Sequence, residues 1–308
     1  MPERTVRMQV DKLWRVRPGV FMAALRIFST SADGGVGCVF MADSCIMTEI
    51  GLFIKSARGI LNVMPIPRTD RATLERAVNE FYESHGASFS ATRHSAWGVM
   101  RLVLEAAAHA ETVIDVGAGN ARLASIVPSH IAYISIEPSS SLREASREVI
   151  ANRMNAQVRA GGFPDLPAID GEADVVACLA VLHHVVSPAE RKKAVHELAR
   201  ITRPGGKAIV TVWNLRHRSF FRLGIILAAW LRLPMIRGGG SGDVWIPWKA
   251  EGVKALRYVH AFTLREFKKL FDEREWKIER AEGWGADGPA DIFSAKNLVI
   301  VAERKSPS

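Results

Sequence analysis

The stretch TVIDVGAGN, residues 112–120, decides the fold expected for this chain. Its first five residues are mostly apolar and β-branched, and they lead directly into a turn that contains Gly117 and Gly119, a pattern typical of a buried strand followed by a tight loop. Glycine at such a turn lets the backbone reverse sharply and approach a ligand closely. Because open α/β sheets bind ligands at the carboxyl ends of their strands, this loop is the first candidate binding site.

The rest of the chain after this stretch alternates between strand-like and helix-like patterns. Apolar strands are predicted at 132–138, 173–185, 207–213, 276–283 and 296–304. Helices are predicted at 69–86, at 96–108, just after Asn120, at 140–150 and at 190–202. Alternating elements joined by short turns predict an α/β fold, here a Rossmann-like, mostly parallel seven-stranded sheet with helices on both faces.

Acidic residues accompany the glycine loop. Asp115 precedes the loop, and Glu137 ends the next strand about 20 residues after Gly117, where a carboxylate can bind two ribose hydroxyls. A nicotinamide-dinucleotide enzyme would place a third glycine where this chain has Arg122, because that glycine helps to seat a pyrophosphate on a helix. The run GAGNAR therefore favours S-adenosylmethionine (SAM), which has no pyrophosphate.

Composition limits the other possibilities. The chain has 308 residues, of which 48% are apolar, and a formal net charge of +9. Most of that charge lies in residues 203–308, which carry 19 Lys and Arg against 11 Asp and Glu, as expected for a surface that meets an anionic partner such as RNA or simply for a solvated basic face. Three cysteines without CxxC spacing favour a reducing, cytoplasmic location and no metal site.

Two segments stand apart from this pattern. Residues 1–63 mix a basic start with a glycine cluster and are predicted to be an appendage to a domain at 64–308. Residues 214–262 are predicted to be an insert on the substrate side of that domain. Within it, residues 220–236 form an amphipathic pattern that contains Arg222 and Arg232, which indicates a helix over the substrate mouth or, alternatively, one on a membrane surface. No apolar run is long enough to predict a membrane span.

The order of these motifs over residues 110–213 resembles the core of the class I SAM-dependent methyltransferases. The resemblance places Ala180 to His184, after the fourth strand, at the methyl-transfer site, with His183 as a catalytic candidate. It also implies an adenine contact near Gly162, for which Asp165 is the nearby acidic residue. The implied cofactor-binding residues are Asp115, Gly117, Ala118, Gly119, Asn120, Glu137, Pro138, Asp165 and Ala180.

The flanking segments resemble one family, the tRNA methyltransferases that esterify 5-carboxymethyluridine at the wobble position. The similar segments are FYESHGASFSATRHSAW at 81–97, GDVWIPWK at 242–249 and LRYVHAFTLREFKKLF at 256–271. The resemblance covers about residues 75–275 and implies the tRNA anticodon loop as substrate. Because eukaryotic members of that family work with a small zinc-containing activator subunit, such a partner is also an expectation. This chain departs from the family in its loop, which reads GAGNA where the family usually has GCGNG.

The expected chemistry suits an ester-forming reaction. A carboxyl group with an ordinary pKa of about 4 is already ionised at neutral pH and needs no general base before it attacks the sulfonium methyl. Arg93 and Arg257 are the candidates for holding that carboxylate, because a guanidinium binds it through two parallel hydrogen bonds. The predicted substrate-binding residues are Trp97, Trp213, Asp243, Trp248 and His260.

Two other functions remain open from the sequence. The apolar segment 220–236 is also compatible with a methyltransferase that acts on a small hydrophobic molecule, such as a quinone or lipid precursor. The altered glycine loop is compatible with a non-catalytic SAM-binding or RNA-binding subunit. Two measurements distinguish them. Tight, salt-sensitive binding of tRNA would argue against the small-molecule alternative, and methyl turnover would argue against the non-catalytic one.

Overall fold

The computed structural model of the chain describes residues 70–91, 98–215, 242–250 and 253–306, with side chains except at 87–91, 247–250, 253 and 254. All of these residues belong to one compact unit that spans Ile60–Ser308. The expectations for residues 1–63, Arg93, Trp97, the segment 220–236 and the Trp248 side chain lie outside the described residues.

The described strands form one large sheet and one hairpin. They are β1 Thr112–Val116, β2 Ala132–Glu137, β3 Ala156–Ala160, β4 Ala173–Leu179, β5 Thr202–Trp213, β6 Asp243–Ala250, β7 Val253–His260, β8 Trp276–Trp284, β9 Pro289–Ala290 and β10 Asn297–Arg304. The large sheet has eight strands in the order β3-β2-β1-β4-β5-β10-β8-β9. Its first five strands run parallel, and β10, β8 and β9 pair antiparallel. The α/β, mostly parallel prediction is confirmed; β9 is only two residues long, so the predicted number of seven is close.

A separate two-stranded hairpin lies beside this sheet. It pairs β6 with β7 in antiparallel register. Asp243 is opposite His260 at the open end of the hairpin. The last strand of this hairpin contacts the first helix of the described chain, so the hairpin extends the wall of the domain near the carboxyl ends of the parallel strands.

The described helices are α1 Arg71–Ala91, α2 Met100–Ala106, α3 Ser140–Ile150, α4 Pro188–Ile201 and α5 Leu264–Lys268. Serine and threonine cap three of them, because Ser139, Ser187 and Thr263 each accept a backbone N–H from the first turn of the helix that follows. Successive β1 residues point to opposite faces of the sheet, so Val113 and Ile114 join two different apolar clusters. Both faces of the parallel strands are thus covered.

The helix predicted just after Asn120 is shorter than expected. Only a single 3₁₀ turn forms, at Arg122–Ser125. Ala121 enters it in the left-handed conformation, with φ of 53°. Pro128 follows closely, and the residue before a proline is disfavoured in helical conformation, so the turn cannot lengthen. Across the described chain, no helix combines the length and the apolar character that a membrane crossing requires.

Candidate active site

A cavity of about 680 Å³ opens at the carboxyl ends of β1, β2, β4 and β5. Its volume lies within the usual range for small-molecule sites. Eleven of the residues predicted from the sequence line it: Asp115, Gly117, Ala118, Gly119, Asn120, Glu137, Pro138, Ala180, Val181, His184 and Trp213. The site therefore lies where the glycine loop indicated, at the point where the strand order reverses.

Helix α1 forms a wall of this cavity that the sequence did not predict. Val78, Asn79, Glu80, Tyr82 and Glu83 all line it. The helix is fixed to α3 because the Glu83 carboxylate accepts hydrogen bonds from the backbone N–H and the hydroxyl of Ser140. These hydrogen bonds lower the pKa of Glu83. The sequence did contain a signal for this wall, because Asn79, Tyr82 and Glu83 recur at helical spacing and so form one polar face of the helix.

The glycine loop passes so close to the next wall that side chains are excluded. Gly117 has φ of 67° and Gly119 has φ of 60°. A Cβ atom on Gly117 would lie 2.5 Å from Cγ2 of Val181. The loop is also fixed by the Gly117 N–H, which donates to the carbonyl of Ile136 over 2.8 Å. Glycine is therefore needed at 117 for both conformation and space.

Glu137 is held ready to accept further hydrogen bonds. Its two carboxylate oxygens accept from the backbone N–H groups of Gly119, at 2.9 Å, and of Ser139, at 3.0 Å. A carboxylate has about four acceptor positions, so two remain for the hydroxyls of a ribose. Since Glu137 is buried and lines the cavity, the residues present fit the nucleoside part of SAM.

Burial raises the pKa of both acidic residues in this part of the site. It raises the pKa of Glu137 to about 7, against the hydrogen bonds from Ser139 and Gly119, which lower it. It raises the pKa of Asp115 to about 6, although the Tyr133 hydroxyl donates to Oδ2 of Asp115 over 2.6 Å. Both carboxyl groups are thus poised to gain or lose a proton when a ligand binds.

These shifts predict a pH-dependent affinity for the cofactor product S-adenosylhomocysteine (SAH). Below a pKa of about 7, Glu137 takes up a proton in the unliganded protein, and ribose hydroxyls must compete with that proton. The dissociation constant of SAH is expected to rise about tenfold between pH 8 and pH 6, measured by isothermal titration calorimetry. Proton release on binding at pH 7, obtained from buffers of different ionisation enthalpy, provides the control. An affinity that is constant over this range would contradict the assignment.

The raised pKa of Glu137 affects the stability of the unliganded fold in the opposite direction: affinity for SAH increases with pH, whereas this contribution to stability decreases. Because the pKa of Glu137 is raised from 4.5 to about 7 on folding, the stability that this one group contributes is fully present below pH 4.5 and is lost as the pH rises through about 7. Ligand binding offsets that loss, because the ribose hydroxyls donate hydrogen bonds to the ionised carboxylate.

The opposite end of the cavity contains Ala180, His184 and Trp213. Ala180 adopts φ of 61° and is fixed there because its N–H donates to the carbonyl and hydroxyl oxygens of Thr211. Nδ1 of His184 donates to the carbonyl of Tyr258, so Nε2 accepts from the Tyr82 hydroxyl over 2.7 Å. These contacts join β4, α1 and the β6–β7 hairpin around the proposed methyl-transfer position.

The two histidines at this end are neutral. Burial lowers the pKa of His184 to about 3 and that of His183 well below its usual range, and the nearby charge of Arg257 lowers both further. Both histidines were predicted at the methyl-transfer site; His184 lines the cavity, whereas His183, the catalytic candidate, does not. His183 is fully buried against Trp213, with ring centroids 4.5 Å apart. Its Nδ1 faces the Trp213 N–H at 3.4 Å, which leaves Nε2 as the protonated nitrogen.

Arg257 is a buried guanidinium without hydrogen-bond partners for two of its nitrogens. It is 5% exposed and does not itself line the cavity but lies behind Trp213, which does, and its Nε and Nη1 have no acceptor among the residues that the structure describes. Its Cζ lies 4.3 Å from the centre of the Trp213 ring and 5.3 Å from that of Phe81. Nε2 of His183 also lacks a partner in the described chain. Buried donors without acceptors are costly, so this cluster is well suited to receive an anionic group.

Asp243 and His260, predicted to contact the substrate, instead form a buried network away from the cavity wall. They are 3% and 1% exposed, and Nδ1 of His260 donates to Asp243 over 2.6 Å. Nε2 of His260 faces Glu266 at 2.7 Å, and the Tyr258 hydroxyl donates to Asp243 over 2.7 Å. The network fixes the hairpin strand that carries Arg257. Both residues thus support the hairpin in the described chain, and their contact with the substrate stays a prediction.

Removing the Asp243 charge is expected to destabilise the domain. In Asp243→Asn, His260 and Arg191, whose Nη1 is 3.9 Å from Asp243, would lose their buried partner. Breaking a buried pair in this way costs about 3 kcal/mol of unfolding free energy, which urea unfolding would measure. Asp272→Asn is the control, since Asp272 pairs with an exposed Arg274. Equal unfolding midpoints for the two variants would contradict the structural role of the network.

The adenine contact expected at Asp165 is not supported by its position. Gly162 and Asp165 form an isolated bridge that closes a small turn, so Asp165 is exposed while Gly162 and Phe163 line the cavity. Arg122 also lines the cavity, although the sequence had indicated only that it replaces a third glycine. In the described residues, no group of three His, Cys, Asp or Glu side chains has an arrangement that could hold a metal ion.

The parallel sheet, the glycine loop and the carboxylate at the end of β2 give this chain the fold of the class I SAM-dependent methyltransferases. Residues 114–210 match a protein family described as a methyltransferase domain. A solved SAM-dependent methyltransferase of Methanosarcina mazei has the same fold, with a TM-score of 0.53, 16% identity, and coverage of 67% of this chain and 98% of the other.

The relatives of known name narrow the resemblance. The chain is 31% identical over 143 residues to the tRNA (carboxymethyluridine(34)-5-O)-methyltransferase of Mus musculus, which is 46% of this chain and 21% of that protein. It is 24% identical over 215 residues to the protein of the same name from Schizosaccharomyces pombe, 63% of this chain and 86% of the other. Several relatives are matched over only 20% to 38% of their own length.

Proposed function

We propose that this chain transfers a methyl group from SAM to the carboxylate of 5-carboxymethyluridine at the wobble position of a tRNA anticodon loop. The observation that carries this proposal is the buried guanidinium of Arg257, which has donors without acceptors beside Trp213 in the described chain. The names of the relatives agree with that chemistry, because the substrate named there bears a carboxylate.

The bound donor supplies an electrophilic methyl group on a positively charged sulfur. With SAM held at Glu137 and the glycine loop, a substrate carboxylate would form a bond to that methyl carbon as the carbon–sulfur bond broke, and the electron pair would remain on sulfur, which would give a methyl ester and SAH. Since the carboxylate is already ionised near neutral pH, the protein needs no general base. Its contribution is to align the reacting atoms and to hold the carboxylate.

Arg257 is suited to hold the carboxylate because its charge is permanent and its fork presents parallel donors. The neighbouring His183 and His184 are neutral and add no second positive charge that would further weaken the nucleophile. Nε2 of His183 supplies one more N–H in the same cluster. The Trp213 ring, which contacts Arg257 and lines the cavity, is positioned to contact an unpaired base.

Arg93, Trp97 and Trp248 remain candidates from the sequence for further contacts with the carboxylate and the anticodon loop. We also propose the cytoplasm as the compartment, where tRNA is modified, and a small zinc-containing activator as a partner. The basic residues of 203–308 would contribute phosphate contacts, so binding should weaken steeply with salt.

The test is to incubate the purified chain with methyl-labelled SAM and total tRNA that lacks the wobble ester, with and without a zinc-containing activator subunit. The RNA is then digested, and labelled nucleosides are identified by mass spectrometry. Label in 5-methoxycarbonylmethyluridine is the expected result. If SAH binds but no nucleoside is labelled in either condition, the proposal is wrong, and a small hydrophobic acceptor or a non-catalytic role takes its place.

A further inference from the structure

The charges around the cavity are uneven. Among the described residues that line it, Glu80, Glu83, Asp115 and Glu137 are acidic, and Arg122 carries the only permanent positive charge. SAM has two positive groups, the sulfonium and the α-ammonium, and one negative group, the α-carboxylate of its methionine part. The acidic residues suit the positive groups. Arg122 is the described residue of the cavity wall that suits the carboxylate.

Arg122 lines the cavity where the chain leaves the glycine loop. Ala121 turns the chain through the left-handed region, and Arg122 is the first residue of the 3₁₀ turn that follows. Its side chain is partly buried, and burial lowers its pKa while the nearby charge of Asp115 raises it. The guanidinium is therefore partly removed from water at the cavity wall, where a charge-assisted hydrogen bond is stronger than in solvent.

The order of the strands places the methionine part of the ligand near the same loop. Glu137 ends β2, and the methyl-transfer residues follow β4 and β5. Because β1 lies between β2 and β4, a ligand with its ribose at Glu137 and its methyl group near Ala180 must cross the end of β1. The glycine loop and Arg122 follow β1, so they lie beside the part of the ligand that carries the amino-acid group.

We propose that Arg122 binds the α-carboxylate of the methionine part of SAM and so selects ligands that carry a complete amino-acid group. The proposal rests on the proposed function, since that reaction uses SAM as the donor. It adds that the residue replacing the third glycine of a dinucleotide-binding loop is itself a cofactor ligand in this chain.

Two neutral thioethers make the test specific. SAH and 5′-methylthioadenosine share the adenosine and the sulfur, but only SAH has the amino-acid group. Their affinities for the wild-type chain, Arg122→Gln, Arg122→Lys and the control Arg147→Gln are measured by isothermal titration calorimetry. Arg147 is an exposed arginine on α3 that pairs with Glu144, and it does not line the cavity.

In Arg122→Gln, the affinity for SAH is expected to fall about 10- to 100-fold while that for methylthioadenosine changes by less than about twofold. Arg122→Lys should lose less, because it keeps the charge, and Arg147→Gln should match the wild type. An equal loss for both ligands would indicate a damaged pocket and overturn the proposal, as would an unchanged affinity for SAH. Binding of SAH without labelling of tRNA would overturn the proposed function alone.

Discussion

Replacing Arg257 by methionine is expected to lower kcat/KM for tRNA by about 100- to 1000-fold while the affinity for SAH stays within about twofold of the wild type. The guanidinium is the buried donor group that the proposed reaction uses to hold the carboxylate, and the structure gives two of its nitrogens no other acceptor in the described chain. Initial rates with saturating SAM and varied tRNA, together with calorimetry of SAH, measure the two quantities.

The stability of the same variant separates a catalytic role from a structural one. A buried arginine that served the fold would destabilise the domain when it was removed, by several kcal/mol. Arg257 instead carries an uncompensated desolvation cost, because its contacts in the described chain include the Trp213 and Phe81 rings but no acceptor for Nε or Nη1. Methionine keeps most of the apolar contact, so the urea midpoint of Arg257→Met should equal or exceed that of the wild type.

Two further variants complete this experiment. Arg257→Lys keeps the charge but loses the two-pronged geometry, so its rate should lie between those of the wild type and Arg257→Met. Arg265→Met is the matched control, because Arg265 is exposed on α5 in the same basic part of the chain. Full turnover by Arg257→Met would refute the carboxylate role, and a loss of turnover with a large loss of stability would assign Arg257 to the fold.

The core of the fold could be predicted because its signals are local. An apolar run that ends in Gly117 and Gly119 can form few structures other than a buried strand and a tight turn. The position of Glu137 at the end of the next strand then follows from the parallel arrangement of the sheet. The glycine loop, Glu137, Ala180 and Trp213 all line the cavity, because the carboxyl ends of parallel strands meet at one edge of the sheet.

The roles of Asp243 and His260 could not be predicted, because they depend on tertiary partners. The prediction that they contact the substrate came from the resemblance of segments 242–249 and 256–271 to the tRNA methyltransferases. In the structure His260 is fixed between Asp243 and Glu266, and Arg191 approaches Asp243 from helix α4. No local pattern in the sequence reveals a network that draws on four separate elements.

Asp165 and Arg122 show the same limit at the level of a single turn. The resemblance to the methyltransferases implied an adenine contact near Gly162, with Asp165 as the nearby acidic residue, yet Gly162 and Asp165 form a bridge, Asp165 is exposed and Phe163 lines the wall. In the sequence, Arg122 was noted only because it occupies the position of the third glycine in a dinucleotide-binding loop. In the structure Arg122 lines the cavity and follows Ala121, which adopts a left-handed conformation. That conformation is uncommon for a residue other than glycine, so the sequence did not indicate it.

Glu137→Ala is expected to weaken binding of SAH and of methylthioadenosine by more than about 100-fold. Each hydrogen bond to a charged group contributes about 1.5–3 kcal/mol, and two ribose hydroxyls would lose their acceptor together. The backbone N–H groups of Gly119 and Ser139 would also lose theirs. Calorimetry gives the affinities, and the failure of SAH to raise the melting temperature of the variant gives an independent measure.

Glu137→Gln tests whether the charge or only the shape of the side chain matters. Both carboxylate oxygens accept a backbone N–H, so an amide must point its NH₂ group at the N–H of Gly119 or of Ser139. The affinity should therefore fall by about tenfold or more even though the side chain is nearly isosteric. Glu144→Ala, on the exposed side of α3, should bind both ligands normally.

The two ligands distinguish this loss from the one expected at Arg122. Glu137 binds the ribose, which both thioethers contain, so its variants must lose both; Arg122 binds the carboxylate, which only SAH contains. If Glu137→Ala bound either ligand within about threefold of the wild type, the ribose would lie elsewhere and the path of SAM across β1 would have to be reversed. If Glu137→Ala lost affinity for both ligands while Arg122→Gln lost affinity for SAH alone, the ribose would lie at Glu137 and the amino-acid group at Arg122. The glycine loop lies between these two positions, since Glu137 accepts the Gly119 N–H and Arg122 follows the loop.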